Sequence, residues 1–305
     1  MARINELYER IASQIVAQMA EGVLPWHRPW AVDPNARVSK PLRENAVPYQ
    51  GINVLILWGA AIDAGYASPF WMTYRQARSI GAQVRKGERA SHIVFAKTAK
   101  KRERDAASGE EVEAIIPVRR VYAVFNCDQI DGLPDKYVPE IPDVNPDERD
   151  TACQAWIDSL RIDIRYGGQR AYYAPGPDRV QMPPFETFES SQAFHSTLLH
   201  ELTHSTGHRD RLDRLRGRID DKARAREELV AELGSAFLCA DLGIASSPRA
   251  DHARYIASWS ELLTDEPRAV FDAATQAQQA AEFLHALHDR NAGTGQSAEA
   301  EAEAA

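Results

Sequence analysis

Residues 200 to 208 read HELTHSTGH, and this stretch constrains the fold of the chain more sharply than any other. His200 and His204 are four residues apart, so an α-helix carries both imidazoles on one face. With Glu201 between them they form HExxH, the arrangement of a zinc site built on a helix. Glu201 adjoins the first histidine, where its carboxylate can take a proton from water that the metal activates for attack on a carbonyl. The expected cofactor is therefore Zn2+ or another divalent transition metal, and Glu201 is the expected catalytic base. A site of this kind needs a third protein ligand.

The motif runs on through Gly207 and His208 to Asp210. Gly207 obeys the longer metzincin pattern HExxHxxGxxH, with Asp210 at its last position. That class also requires a methionine turn downstream of the motif. The four methionines here (Met1, Met19, Met72 and Met182) all lie upstream, which removes it. His208 follows the glycine expected to end the helix and reads as a capping or surface group. Farther on, REELVAELGSAF sets Glu228 and Glu232 four apart on a second helix. In glutamate-type zincins a second helix supplies the third ligand, and an acidic residue four positions later orients a zinc-bound histidine. Glu228 as ligand with Glu232 as its orienting companion fits that scheme, and the exchange of the two roles stays open. Leu229, Leu233, Ala236 and Phe237 flank these carboxylates with apolar surface, so both should be half-buried and in need of a partner.

The rest of the chain supplies the frame. Its 305 residues, 44% apolar and 26% charged, are enough for two domains, each with its own core. Three widely spaced cysteines without a CxxC pair point to reduced thiols and exclude a cysteine zinc knuckle. No stretch approaches a membrane span, and the charged amphipathic opening MARINELYERIASQIVAQM is not a secretory signal. A cytoplasmic location without a membrane partner is expected. The net charge of −8 is unevenly placed, because the first 135 residues carry 18 Lys and Arg against 15 Asp and Glu. A mildly basic half joined to an acidic one hints at a polyanion partner for the first.

The pattern reads as an α+β protein of two domains. Residues 1–135 form the first, 136–150 a proline-punctuated linker, 151–290 the second, and 291–305 an acidic low-complexity tail expected to be disordered. In the first domain, Ile4, Leu7, Ile11, Ile15 and Val16 recur at helical spacing. YQGINVLILWGAAIDAG and TYRQARSIGA read as two further helices. HIVFAKT and VRRVYAVFNC read as strands around a polar tip, AKKRERDAASGEEVE, taken as a hairpin excursion or a mobile loop. In the second domain, RIDIRYGG and RAYYAPGPDRVQMP read as strands. Helices follow from about Ser190 to Thr206, over ARAREELVAELGSAFLCADLG, over HARYIASWSELLTD, and on to about Arg290.

These segments together resemble the ArdC family of plasmid antirestriction proteins, whose N-terminal domain also occurs at the front of conjugatively transferred plasmid primases. The matching stretches are LPWHRPW, PYQGINVLILW, SPFWMTYRQARSIGAQVRKGE, VYAVFNCDQIDGLP, AYYAPGPDRVQMP, HELTHSTGH, REELVAELGSAFLCADLGI and HARYIASWSELL, in family order over residues 3 to 285. The resemblance implies a single-stranded DNA-binding domain followed by a zincin-like metallopeptidase domain. It implies a role in protecting incoming plasmid DNA from host restriction during conjugation, with a protein substrate or the host restriction enzyme as a further partner. The segment RLDRLRGRIDDKARA departs from the family pattern. Two other classes stay open: an intracellular zinc peptidase, and a DNA-coating protein whose metal domain is only structural.

The residues of the first half support the DNA reading separately, since single strands are bound by aromatic platforms beside cations. Trp26, Trp30, Tyr49, Trp71 and Tyr74 are interleaved with Arg28, Arg43, Arg75, Arg78, Arg85, Lys86 and Arg89. Trp58, inside NVLILW, reads as core. Trp26, Arg28 and Trp30 in their proline-bounded loop are stacking and phosphate candidates, with Tyr49, Trp71 and Arg75. The turn carrying Arg85 and Lys86 suits phosphate contact. From Arg209 to Arg226, eight Lys and Arg stand against four Asp. This run reads either as a continuation of the DNA track or as arginines paired with the domain's carboxylates.

Overall fold

A computed structural model of the chain describes residues 2–26, 39–104, 111–137, 146–216, 220–244 and 252–303. In chain order its elements are α1 (Ala2–Ala20), β1 (Leu42–Arg43), α2 (Ile52–Ala64), β2 (Phe70–Met72), α3 (Tyr74–Ser79), β3 (Gln83–Val84), β4 (Ser91–Arg104) and β5 (Glu111–Asn126). They continue with β6 (Ile130–Asp131), α4 (Pro146–Ser159), β7 (Ile164–Tyr166), β8 (Tyr172–Ala174) and β9 (Arg179–Met182). The helices α5 (Ser191–Ser205), α6 (Asp221–Leu242), α7 (His252–Asp265) and α8 (Ala269–Glu303) complete the chain. The expected α+β architecture in two bodies is observed.

The two bodies do not coincide with the two halves of the sequence. One comprises 1–40, 50–59 and 140–305, the other 41–49 and 60–139. The physical reason is packing. The apolar stripe of α1 lies against α7, with Tyr8 edge-on to Phe271 and Trp26 edge-on to Trp259. The first half of α2 contributes Trp58, tilted against Phe237 of α6. Most of the expected linker lies outside the described residues, but α4 already begins at Pro146, a residue whose fixed φ suits the first helical turn. Helix α8 runs to Glu303, through most of the segment expected as an acidic low-complexity tail. Alanine and glutamate are strong helix formers, and that preference prevails over low complexity.

In the smaller body the sheet order is β1-β2-β5-β4, and β4 and β5 pair antiparallel from Ser91↔Val124 to Arg104↔Glu111. The polar tip is thus a hairpin excursion, with 105–110 outside the described residues. Met72, Ala77, Ala82, Val84, Cys127, Ile130 and Tyr137 form the core beneath. Thr73 starts α3 with a capping box, its Oγ1 accepting from the Gln76 amide while the Gln76 side chain accepts from the Thr73 amide.

The larger body sets a small sheet, ordered β7-β9-β8, against α5. Ser190 caps α5, its Oγ accepting from the Ala193 amide at 3.1 Å. Asp220 caps α6 in the same way at 2.7 Å from the Ala223 amide, and Gly243 ends that helix in the left-handed region at φ 71°. Helix α5 crosses α6 where Gly234 meets Thr203, and α6 in turn packs on α7 and α8. Cys127, Cys153 and Cys239 are buried free thiols, each raised by burial to about 12 or beyond.

Candidate metal centre

The crossing of α5 and α6 assembles the site. His200 and His204 project from α5, their rings 4.8 Å apart and edge-to-face. Glu228 of α6 faces both. Its Oε2 lies 3.6 Å from His200 Nε2 and its Oε1 3.8 Å from His204 Nε2. Among the described residues these three are the group whose ligand atoms converge within 4.8 Å. Ligand atoms held about 2.1 Å from a tetrahedral ion lie roughly 3.4 Å from one another. The 3.6 and 3.8 Å separations here are close to that spacing, so the three groups suit a cation.

The opposite ring edges are occupied by carboxylates. His200 Nδ1 lies 3.5 Å from Glu232 Oε2, and His204 Nδ1 lies 3.2 Å from Glu227 Oε1. A carboxylate hydrogen-bonded at Nδ1, as Glu227 is to His204, holds the proton there and leaves the Nε2 lone pair to point at a metal. The His200 ring is only 2% exposed, yet neither of its nitrogens makes a hydrogen bond. A buried imidazole without such a bond is costly unless an ion takes the lone pair. The donor set therefore fits a divalent cation.

Electrostatics agree. Burial alone would lower the His204 pKa, but Glu227 and Glu228 outweigh it and push it up to about 10. Burial would raise Glu228, but the adjacent His200 and His204 imidazoles hold its carboxyl well below the usual range. His204 thus lies in a negative field that a cation would balance. Glu201 is buried on α5 beside His200, and Glu232 is also buried.

His208 and Asp210, the competing third ligands, pair with each other: the Asp210 amide donates to His208 Nδ1 at 3.3 Å, and the Asp210 carboxylate is 75% exposed. The helix thus ends where Gly207 was expected to end it, and the carboxylate that faces both histidines belongs to α6. Glu227 is the residue that sequence reasoning missed. The signal was in REELVAEL, one residue before Glu228, but only the crossing angle decides that both adjacent glutamates face α5.

Arginines of the 209–226 run resolve towards pairing with carboxylates. Arg211 forks onto Asp178 at 2.7 and 2.9 Å, and Tyr173 donates to the same carboxylate. Arg214 pairs with Glu227, Arg216 with Asp213, Lys222 with Asp265 and Arg226 with Glu266. Arg218 lies outside the described residues.

Several stacking candidates are corrected. Trp26 and Trp71 are 2% and 1% exposed and Tyr49 is likewise buried, so none offers a face to a base. Trp71 is buried and held edge-on to Tyr66, and Tyr49 lies under the Arg43 guanidinium. Arg28 and Trp30 lie outside the described residues. Arg75 and Lys86 are exposed. Arg85 is exposed too, but its guanidinium already meets Glu88, Asp131 and the Asp128 carbonyl. Tyr74, 49% exposed, borders a groove of about 530 Å³ whose walls include Val84, Phe125, Arg85 and Lys86.

A histidine pair on one helix, a glutamate from the helix that crosses it and a small sheet alongside define a zincin-like metallopeptidase domain. A family described as zincin-like metallopeptidase matches residues 151–276, and the N-terminal domain of anti-restriction factor ArdC matches residues 5–125. Crystal structures of the antirestriction ArdC protein from plasmid R388 are 41% identical in sequence. The metal-free form superposes with a TM-score of 0.78 over 93% of this chain and 98% of that one, and the Mn(II)-bound form with 0.76 over 92% and 98%. An uncharacterized protein of Sinorhizobium fredii is 44% identical over 92% of both chains. DNA primase TraC of Escherichia coli is 32% identical over 95% of this chain, which spans only 28% of that protein. The chain belongs to the ArdC family of antirestriction proteins. Among the described residues no helix is long and apolar enough to cross a membrane.

Proposed function

We propose that this protein binds single-stranded DNA and carries a zinc-dependent metallopeptidase centre, and that it protects incoming plasmid DNA from host restriction during conjugation. The observation that carries the catalytic half is the convergence of His200, His204 and Glu228, with Glu201 buried beside them. A divalent ion bound there would supply Lewis-acid polarisation and bring the pKa of water towards neutrality. His200 and His204 present Nε2 to it, Glu228 supplies the carboxylate, and Glu232 holds the far edge of the His200 ring. Glu201 accepts a proton from the attacking water and returns it to the leaving amine. The Mn(II)-bound relative supports a divalent metal in this family.

Support for the DNA half comes from the ArdC N-terminal match and from the kinship with a DNA primase. With Trp26 and Trp71 buried, the reading rests on exposed groups of the smaller body: Tyr74 as platform, with Arg75, Arg78 and Lys86 for phosphates. One experiment tests both halves. Single- and double-stranded oligonucleotides are titrated across a salt series, with and without metal, alongside cleavage of an unstructured protein. Salt-sensitive preference for the single strand with metal-dependent cleavage is expected. Cleavage without DNA affinity would leave a plain peptidase, and DNA affinity without cleavage a coating protein.

A further inference from the structure

We propose that Glu227 and Arg214 are positioning residues of the metal centre, which fix the orientation of His204 and keep the ligand set at two histidines and one glutamate. The inference rests on the metal-site reading above. Glu227 and Glu228 are adjacent on α6, and both side chains reach the α5 crossing, so both are potential ligands of one ion. The structure separates their roles by occupying Glu227 completely. Its Oε1 is 3.2 Å from His204 Nδ1 and accepts from Arg214 Nη2 at 3.1 Å, while its Oε2 accepts from Arg214 Nε at 3.2 Å. Glu228, by contrast, turns its two oxygens to the Nε2 edges of the two histidines.

Arg214 is itself fixed from behind. It is only 8% exposed, donates through Nη1 to Thr206 Oγ1 at 2.8 Å and through Nη2 to the Thr203 carbonyl at 2.9 Å. Those two acceptors lie in the last turn of α5 and at its C-cap, so the guanidinium ties the end of the metal helix to α6 through Glu227. Gly207 leaves room for this, since a Cβ there would fall 2.9 Å from Leu215 and 3.3 Å from Arg214 Nη2. Only a planar fork meets a carboxylate with two donors while its third nitrogen binds elsewhere, and lysine cannot replace it. A charge that the sequence offers to DNA is thereby committed to the metal helix.

The test measures affinity for Zn2+ and for Mn2+, each titrated alone into metal-stripped full-length protein against a competing chelator. Glu227→Gln keeps the volume and one acceptor but loses the charge that holds the His204 proton. It should bind each metal about ten- to a hundredfold more weakly, with the melting temperature of the stripped protein little changed. Arg214→Met should weaken binding too, and Arg214→Lys should not rescue it. The double variant Glu227→Gln with Arg214→Met should be no weaker than the worse single one, since the arginine acts through the glutamate. His204→Ala separates the two readings. If it binds metal like the unaltered protein, the site itself is misplaced and the inference falls with it. If His204→Ala loses metal while Glu227→Gln keeps full affinity, the positioning role alone is overturned.

Discussion

Gly234 of α6 touches Thr203 of α5 so closely that a Cβ on the glycine would stand 2.4 Å from Thr203 Cγ2. The crossing that brings Glu228 to the histidines therefore depends on a missing methyl group. Thr203 cannot yield easily, as its Oγ1 donates to the Leu199 carbonyl at 2.8 Å inside α5. Gly234→Ala should force the helices apart and destabilise the protein by about 1–3 kcal/mol despite the better helix propensity of alanine. Thermal unfolding and metal affinity measured together should both fall. Gly234→Ala with unchanged melting temperature and affinity would contradict this account of the crossing.

Metal content separates the glutamates. The purified protein should hold about one divalent ion per chain. Glu228→Ala removes a bond to the ion and should empty the site, whereas Glu232→Ala removes a partner of His200 and should cost about ten- to a hundredfold in affinity. His208→Ala and Asp210→Ala should keep the ion. Loss of metal in Asp210→Ala with both glutamate variants loaded would refute the glutamate-type centre.

Glu201→Gln should retain the ion and lose peptide cleavage by about 10²–10⁴-fold, the range expected when a general base is removed. Elemental analysis and turnover of the same preparation decide it. Retained turnover would remove Glu201 from its role.

What the sequence made legible here was whatever one helix can hold by itself. The i, i+4 spacing of His200 and His204, the end of α5 near Gly207 and the second pair, Glu228 and Glu232, are all local patterns. Glu227 escaped because its role is defined by Arg214 and His204, which reach it across a crossing that no periodicity encodes. Trp26 and Trp71 misled for a related reason: a tryptophan among arginines looks the same in sequence whether it faces solvent or, like Trp26, another tryptophan inside the core. The bodies, too, were set by packing of α1 on α7, a contact between residues more than 200 positions apart in sequence.

Acid should expose a second polar anchor of the larger body. Lys40 donates to Asp241 at 2.7 Å, and His285 Nε2 lies 3.1 Å from the same oxygen. Burial would raise the Asp241 pKa, but His285 and Lys40 outweigh it and hold the carboxyl below its usual range. A carboxyl depressed in the folded state stabilises fully above its unfolded pKa of about 3.9, and that contribution is lost as pH falls through the folded value. Asp241→Asn should therefore lower the melting temperature at pH 7, with the difference from the unaltered protein narrowing below about pH 4. A difference that stays constant from pH 7 to pH 2 would assign the effect to packing instead.

The proposed DNA surface can be located by contrast among aromatic residues. Tyr74 is half exposed beside Arg75 and Arg78 and borders the groove that also holds Lys86, whereas Trp71 is 1% exposed in the core. Tyr74→Ala should weaken single-strand binding by about 1–3 kcal/mol, the cost of losing one base–aromatic stack, while leaving the melting temperature near that of the unaltered protein. Lys86→Ala should flatten the logarithmic dependence of affinity on salt by about 0.7, as one phosphate contact goes. Trp71→Ala should instead lower the melting temperature, because it empties a core site. Neutralising Arg211 and Arg216 together should leave the salt slope unchanged, since Asp178 and Asp213 already balance them. If that double variant flattens the slope while Lys86→Ala does not and Tyr74→Ala keeps full affinity, the strand lies along the metal-bearing body and the groove beside Tyr74 is not its site.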